Sequence, residues 1–258
     1  MMEEVITIPA LGDNYIYLYQ YDNSNAIVID PGDYKSVIKI LAKHKLTLTV
    51  ILTTHHHWDH VGGIVELKKK TGCKVIGSDK QRIPGIDQPV SDGQILTFGN
   101  TKIEVLATAG HTRTSVCYYK QPTNDEEAGI LWTGDTMFVG GCGRLLECDA
   151  REMWQSLQRL AALPENTLLY CGHDYTLENY EFALQIEPNN QAVKKRLGEI
   201  KQKQQQQAQH TVPSTMSQEK LTNPFLRANS QAIKDALNMP QASDVEAFSE
   251  LRRRKDIF

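Results

Sequence analysis

The chain has 258 residues, of which 40% are hydrophobic and 23% are charged. This composition is typical of a globular protein and excludes wholesale disorder, and no apolar run approaches the roughly 20 residues that a membrane-spanning helix needs. With 28 Lys and Arg against 31 Asp and Glu, the formal net charge is −3, so neither nucleic acid nor a membrane is an expected partner.

Residues 5–174 predict a layered α/β fold, because short runs rich in Val, Ile, Leu, Thr and Tyr alternate with turns and a few helical patterns. A two-residue turn at Gly99-Asn100 predicts a hairpin. The predicted strands are 5–8, 15–20, 26–30, 48–53, 74–77, 94–98, 102–107, 116–119, 130–133 and 167–171. The predicted helices in this part are 34–44, 61–70 and 150–163.

After Tyr175 the strand signal stops and helical periodicity takes over. The predicted helices there are 177–186, 192–207, 232–237 and 245–254. The Gln-rich segment 202–209 continues the second of them, and Gln and Lys favour helix, so we interpret it as an exposed helix end rather than a disordered tract. We predict a larger domain over residues 1–174 and a smaller, helical one over 175–258.

The cysteines and the N-terminus bear on the cellular compartment. The five cysteines are scattered, with no Cys-x-x-Cys pair, which favours reduced thiols over disulfides or a thiolate metal site. The first basic residue is Lys35, and the opening residues lack the basic and long apolar regions of a secretory signal. We therefore expect a cytoplasmic protein and, because no large apolar stripe stands out, a monomer.

The strongest chemical signal is the run Thr-His-His-His-Trp-Asp-His that begins at Thr54, directly after a predicted strand. In an extended backbone, residues two apart project to the same side, so His55 and His57 can bind one ion while His56 points away. Asp59 and His60, at the entrance to the next helix, would face the same cavity. Imidazole and carboxylate are the ligands that bind a borderline divalent ion without thiolates.

Three later strands end alike, each in a Gly followed by a side chain that can bind metal: His111, Asp135 and His173. An isolated His is usually a packing or surface residue, and a triple His can be a tag remnant. This run, however, is internal, and the strand-Gly-ligand arrangement recurs, which favours a metal site at one sheet edge.

Seven candidate ligands exceed the four that one tetrahedral ion takes, so two ions are predicted. The expected ligands are His55, His57 and His111 for one ion, Asp59, His60 and His173 for the other, and Asp135 as a bridge. Two such ions share a water whose pKa falls toward about 7, which indicates a hydrolase. Zinc, iron and manganese all suit these donors.

The His-x-His-x-Asp-His run, the distant His, Asp and His, and Asp30-Pro31-Gly32 resemble the metallo-β-lactamase superfamily. Within it, the chain is similar to the glyoxalase II (hydroxyacylglutathione hydrolase) family. The narrower resemblance rests also on the segments 140–144, 171–176, 223–227 and 252–256, which read GGCGR, CGHDYT, NPFLR and RRRKD. Together these segments span nearly the whole chain.

The resemblance implies an αββα sandwich with a dinuclear site at one edge, most often holding zinc, followed by a smaller helical domain that helps to bind glutathione. It implies hydrolysis of S-D-lactoylglutathione to D-lactate and glutathione, the second step of methylglyoxal detoxification. Asp59 and Asp135 would act in catalysis, Asp59 by orienting the hydroxide. The implied glutathione contacts are Arg144, Tyr175, Arg252 and Lys255. Leu146 stands where relatives often carry an aromatic residue, which leaves a contact at that position open.

Two alternatives remain at this point. One is another hydrolase of the superfamily, such as a lactonase, a β-lactamase or a nuclease, or a persulfide oxygenase, although a mononuclear iron enzyme would not use the second ligand set. The other is a non-catalytic metal- or nucleic-acid-binding module that uses the cationic run 252–255 as a contact arm.

Overall fold

The computed structural model describes residues 5–124, 127–205 and 210–258. The strands are β1 (Val5–Ala10), β2 (Asn14–Gln20), β3 (Asn25–Ile29), β4 (Thr47–Thr53), β5 (Lys74–Gly77), β6 (Gln88–Pro89), β7 (Ile95–Phe98), β8 (Thr101–Ala107), β9 (Val116–Lys120), β10 (Ile130–Gly134), β11 (Met137–Phe138), β12 (Gly141–Cys142), β13 (Leu168–Cys171) and β14 (Ser214–Thr215). The helices are α1 (Tyr34–His44), α2 (Trp58–Val61), α3 (Ile64–Thr71), α4 (Ala150–Ala161), α5 (Thr176–Ile186), α6 (Gln191–Gln205), α7 (Met216–Thr222), a 3₁₀ helix (Pro224–Leu226), α8 (Gln231–Ala236) and α9 (Asp244–Asp256). Among these helices, none combines the length and the apolar character needed to cross a bilayer.

Two six-stranded sheets form the centre of the fold, in the orders β1-β2-β3-β4-β5-β6 and β14-β13-β10-β9-β8-β7. Alternation along β2 divides its side chains between two cores. Tyr17 and Tyr19 belong to the core between the sheets, where the Tyr19 ring lies 5.6 Å from that of Trp132. Ile16 and Leu18 belong to a second core that α1 and α3 cover.

Helix α4 and the C-terminal helices complete the layers. Asp149 caps α4 in a reciprocal capping box with Glu152, which satisfies backbone N–H groups at the helix start. The buried face of α4 joins the core of the second sheet, and its Trp154 ring lies 5.9 Å from Phe248 of α9. The predicted αββα sandwich with a helical C-terminal region is confirmed.

The predicted helix 61–70 is instead two short helices, α2 and α3, separated at Gly62-Gly63. These glycines lie against the loop at residues 31–32. A Cβ on Gly63 would come within 2.5 Å of the Pro31 carbonyl oxygen, and one on Gly62 within 2.9 Å of that of Gly32. The Gly63 N–H donates to the Pro31 oxygen at 2.8 Å, which holds the two backbones close together. Only glycine, which has no Cβ, allows this approach. The periodicity was continuous, so the break was not predicted.

The C-terminal region departs from an all-helical arrangement at β14, which pairs antiparallel with β13. The expectation that strands end at Tyr175 is wrong at this point, because a two-residue strand is too short to show alternation. Helix α6 is described to Gln205, and the predicted continuation to residue 207, with the rest of the Gln-rich segment at 206–209, lies outside the described residues.

Buried polar groups attach this region to the β11–β12 hairpin. The Glu219 carboxylate, fully buried, accepts hydrogen bonds from Gly140 N at 2.8 Å, Ser214 Oγ at 2.6 Å and Asn223 Nδ2 at 3.1 Å. Asn223 Nδ2 also donates to the Gly141 carbonyl at 3.0 Å. The buried polar side chains of Glu219 and Asn223 thus have hydrogen-bond partners, as a stable interior requires.

Candidate metal centre

Four strand ends deliver the predicted ligands to one edge of the sandwich. His55 follows β4, His111 follows β8, Asp135 follows β10 and His173 follows β13. Strands β10 and β13 are parallel, so their carboxyl ends coincide. The Tyr15 N–H at the start of β2 donates to the Gly172 carbonyl at 2.8 Å, which joins the two sheets at this edge. All seven predicted side chains lie together here.

The first group comprises the side chains of His55, His57 and His111. His57 Nδ1 lies 3.1 Å from His55 Nε2 and 3.0 Å from His111 Nε2. Each residue offers a ligand atom within 4.8 Å of the others, and His55 and His111 are buried.

The second group comprises Asp59, His60 and His173. The two imidazoles meet through their Nε2 atoms at 3.2 Å, and Asp59 Oδ2 lies 3.4 Å from His60 Nε2 and 3.3 Å from His173 Nε2. These ligand atoms also fall within 4.8 Å of one another.

Asp135 lies between the two groups. Its Oδ1 is 3.3 Å from His60 Nε2, and its Oδ2 is 3.3 Å from His173 Nε2 and 3.5 Å from His111 Nε2. Oδ1 is buried without a hydrogen-bond partner among the described residues. One carboxylate therefore contacts members of both groups, as a bridging ligand would.

The outer ring nitrogens fix the direction of the imidazoles. His60 Nδ1 donates to Asp30 Oδ2 at 3.1 Å, His173 Nδ1 to Asp13 Oδ1 at 3.0 Å, and His111 Nδ1 to the Arg144 carbonyl at 2.9 Å. A histidine that keeps its proton on Nδ1 can direct the Nε2 lone pair at the centre once any second proton has left the ring. Oriented partners of this kind are typical of histidines that bind metal.

The charges at the centre favour bound cations. Burial, followed by the neighbouring His60, lowers the pKa of His55 well below its usual value, which keeps that imidazole neutral. Burial opposes ionisation of Asp135, but His60 and His173 hold its pKa well below the usual range. Burial also works against a charge on His173, yet the Asp135 and Asp59 carboxylates raise its pKa to about 10. Ionised carboxylates thus draw positive charge to this position.

The residues present therefore fit divalent metal ions. Lone pairs of facing imidazole nitrogens, about 3 Å apart, cannot hydrogen-bond to one another unless a proton lies between them. A buried carboxylate oxygen without a partner lies beside them. Imidazole and carboxylate are donors that zinc, iron and manganese all accept.

Asp30, Asp13 and Asn14 support the centre without having been predicted as site residues. Asp30 accepts hydrogen bonds from Thr54 N at 2.7 Å and Thr54 Oγ1 at 2.6 Å in addition to that from His60. Asn14 Nδ2 donates to Asp59 Oδ2 at 3.0 Å. The Asp30-Pro31-Gly32 motif ends a strand, a signal that could have identified Asp30. Nothing in the sequence distinguishes Asp13 and Asn14.

Replacing Asp30 by Asn is expected to lower metal affinity by about 10- to 100-fold, the usual cost of losing a partner of a ligand histidine. The three groups that contact Asp30, which are Thr54 N, Thr54 Oγ1 and His60 Nδ1, all donate hydrogen bonds to it. An amide NH₂ at this position would place a donor against one of these donors or force His60 into the other tautomer. Competition with a chelator measures the affinity. Asp33→Asn is the control, because Asn also caps helices well and Asp33 caps α1. Equal affinities in both variants would contradict the orienting role.

His56 and Trp58 point away from the centre. His56 Nε2 lies 3.1 Å from Arg82 Nη1, and that guanidinium is also paired with Glu147. The Trp58 side chain is 71% exposed. His56 thus connects the ligand loop to neighbouring loops, as its position between the ligands predicts.

A cavity of about 310 Å³ opens from the centre toward the C-terminal helices. Its lining includes His111 and Asp135 together with the four predicted substrate contacts, Arg144, Tyr175, Arg252 and Lys255. Leu146, 58% exposed, lines a separate cleft with Arg82 and Glu147.

The predicted contacts differ in their surroundings. The Arg144 side chain is 73% exposed, whereas Arg252 is buried, donates to the Cys142 carbonyl at 2.8 Å and lies over the Phe225 ring. The Tyr175 ring stacks on that of His173, with centroids 5.0 Å apart. Lys255 is also buried and pairs with Glu178.

Two family models together match residues 10–258. The metallo-β-lactamase superfamily matches residues 10–173, and the C-terminus of hydroxyacylglutathione hydrolase matches residues 174–258. The hydroxyacylglutathione hydrolase of Methylococcus capsulatus is 44% identical over 100% of this chain and 99% of that protein. The protein of the same name from Chromohalobacter salexigens is 45% identical over 100% of both.

Solved structures share the fold. ETHE1 from Myxococcus xanthus has a TM-score of 0.68 and 25% identity, over 98% of this chain and 90% of that one. TTHA1623, solved in a di-iron-bound form, has a TM-score of 0.59 and 24% identity, over 86% of this chain and 100% of that one. With its ligand constellation and full-length relatives, the chain belongs to the metallo-β-lactamase superfamily and, within it, to the hydroxyacylglutathione hydrolase family.

Proposed function

We propose that the chain is a thioesterase that hydrolyses S-D-lactoylglutathione and related 2-hydroxyacylglutathiones to a 2-hydroxy acid and glutathione. The observation that carries the proposal is one cavity in which His111 and Asp135 lie at the metal centre while Arg144 and Lys255 supply cationic groups. Glutathione is a peptide with two carboxylates, which such groups bind through charge-assisted hydrogen bonds. The full-length relatives named hydroxyacylglutathione hydrolase support the same substrate.

We propose two divalent ions, with His55, His57 and His111 holding one, Asp59, His60 and His173 the other, and Asp135 between them. Zinc is the first choice, and iron and manganese are alternatives that use the same donors. Bound ions supply Lewis acidity and an activated water at neutral pH, the chemistry that hydrolysis of a thioester requires.

The chain's own residues position the attacking water. Burial opposes the charge on Asp59, but hydrogen bonds with His173 and His60 hold its pKa well below the usual range, so the group accepts hydrogen bonds at neutral pH. Asn14 fixes this carboxylate from one side, and we assign to Asp59 the role of orienting the attacking water. The leaving group is a thiolate, whose conjugate acid has a pKa near 8.5, so no strong general acid is needed.

We propose that residues 175–258 form the glutathione-binding domain, with Arg144 contributed by the preceding part. Lys255 and Arg144 would bind carboxylates, and the Tyr175 hydroxyl would donate to the peptide. Arg252 already supports the Cys142 carbonyl at the cavity wall, so its contribution includes shaping that wall.

The deciding experiment compares purified, metal-analysed protein on S-D-lactoylglutathione, a lactone and a β-lactam. We expect turnover of the thioester with kcat/KM at least about 10⁴ M⁻¹s⁻¹, within the usual enzyme range, and far slower turnover of the other two. Preference for the lactone or the β-lactam would replace the proposed substrate. Salt-dependent binding of DNA or RNA without hydrolysis would favour a binding module instead.

We also propose that the protein acts as a monomer in the cytoplasm. The five cysteines are free thiols, and a reducing compartment suits this state. Sedimentation of the purified protein tests the monomer, since a dimer would double the measured mass.

A further inference from the structure

The cationic end of the cavity already contains a carboxylate. Lys255 forms an ion pair with Glu178, and both side chains line the cavity that reaches Asp135 and His111. The pair therefore occupies space in which the proposed substrate would lie.

The two partners are held very differently. The Lys255 side chain is 6% exposed, and its ammonium lies 5.8 Å from the centre of the Phe182 ring and 5.0 Å from that of Phe258. The Glu178 side chain is 60% exposed and extends from the first turn of α5. The cation is fixed by packing, whereas the carboxylate is a solvated group that can exchange.

Glu219 shows how a structural carboxylate of this fold differs from Glu178. Glu219 is fully buried and accepts hydrogen bonds from the Gly140 backbone, Ser214 and Asn223. Glu178, by contrast, lies largely in solvent, so its carboxylate is rehydrated when it leaves Lys255, and an incoming carboxylate keeps the buried ammonium paired. Little free energy therefore opposes its replacement by another carboxylate.

We propose that Glu178 occupies Lys255 in place of a substrate carboxylate and thereby limits the affinity for glutathione thioesters. This inference rests on the proposed function, since it requires an anionic substrate in the cavity. When substrate binds, its carboxylate takes the position on Lys255, and Glu178 turns toward solvent. The measured affinity for substrate then includes the free energy needed to release Glu178 from Lys255. Glu178 therefore makes KM higher than it would be if Lys255 had no carboxylate partner.

The test is Glu178→Gln, which keeps the shape and removes the charge. We expect KM for S-D-lactoylglutathione to fall by about two- to fivefold, the range of a partly exposed ion pair, with kcat unchanged. The dissociation constant of reduced glutathione, measured by calorimetry, should fall by the same factor. In a Lys255→Met background, the Glu178→Gln change should have no effect on either quantity.

Glu181→Gln is the matched control, because Glu181 lies on the same helix and pairs with Lys201 at 3.3 Å. An unchanged or higher KM in Glu178→Gln, while the wild type still hydrolyses the thioester, would overturn the inference and leave the proposed function standing. A gain that persists in the Lys255→Met background would also overturn it. Absence of both turnover and glutathione binding in the wild type would remove the proposed function and this inference together.

Discussion

Replacement of Asp135 by Asn is expected to lower kcat for the thioester on the order of 10³-fold and to reduce the metal content from the proposed two ions per chain toward one. The reason is geometric and electrostatic. Asp135 presents one oxygen to His60 and the other to His173 and His111, and an amide has neither the charge nor two equivalent acceptor atoms. Elemental analysis and steady-state kinetics on the same preparation measure both effects.

Asp235→Asn is the control for that substitution, since Asp235 lies on the exposed face of α8 and accepts a hydrogen bond from Gln231. Its metal content and kcat should equal those of the wild type. Unchanged turnover in Asp135→Asn, with two ions still bound, would rule out a bridging role for Asp135.

Replacement of Gly172 by Ala is expected to disrupt the same centre through a single methyl group. A Cβ at this position would lie 2.4 Å from Asp135 Oδ1 and 2.8 Å from His60 Cε1, both below any normal contact distance. The ligands must move, and a displacement near 1 Å costs roughly 10²-fold in rate. We expect a corresponding loss of kcat together with weaker metal binding, measured by chelator competition.

Gly198→Ala is the matched control for the added methyl group. Gly198 lies within α6, and its Cβ would meet no atom within 4 Å. Alanine there should raise the free energy of unfolding by about 0.5–1 kcal/mol, because glycine is unfavourable inside a helix, and should leave kcat unchanged. Full activity in Gly172→Ala would show that the centre can adapt to the extra volume.

The sequence predicts which side chains gather at the candidate metal centre, because their chemistry and their backbone context coincide. Period-two spacing places His55 and His57 on one side, and the Gly-ligand pairs mark strand ends that meet at one edge. These are local patterns, and sheet topology then brings distant segments together. The hairpin at Gly99-Asn100 is likewise a local pattern, because a two-residue turn joins two neighbouring predicted strands, and β7 and β8 do pair antiparallel across it.

The remaining features depend on tertiary contacts that no local pattern records. Asp30 and Asp13 become partners of His60 and His173 only once the two sheets are packed together. By sequence, Gly62-Gly63 is equally consistent with a turn that merely tolerates glycine. The packing of the loop at residues 31–32 against it is what requires glycine there. Glu178 belongs to an ordinary helix start by sequence, and its pairing with Lys255 joins positions 77 residues apart.

Strand β14 has a consequence for the integrity of the second sheet. It covers β13, with Leu168 opposite Thr215 and Leu169 opposite Ser214, and Met216 N–H extends the pairing to the Thr167 carbonyl at 3.0 Å. Without it, the backbone groups at the margin of the second sheet would be open to strands of other molecules. The C-terminal region thus shields the edge of β13 from pairing with other molecules. A shortened chain that ends before β14 would be prone to aggregate, even though it retains all seven side chains of the candidate metal centre.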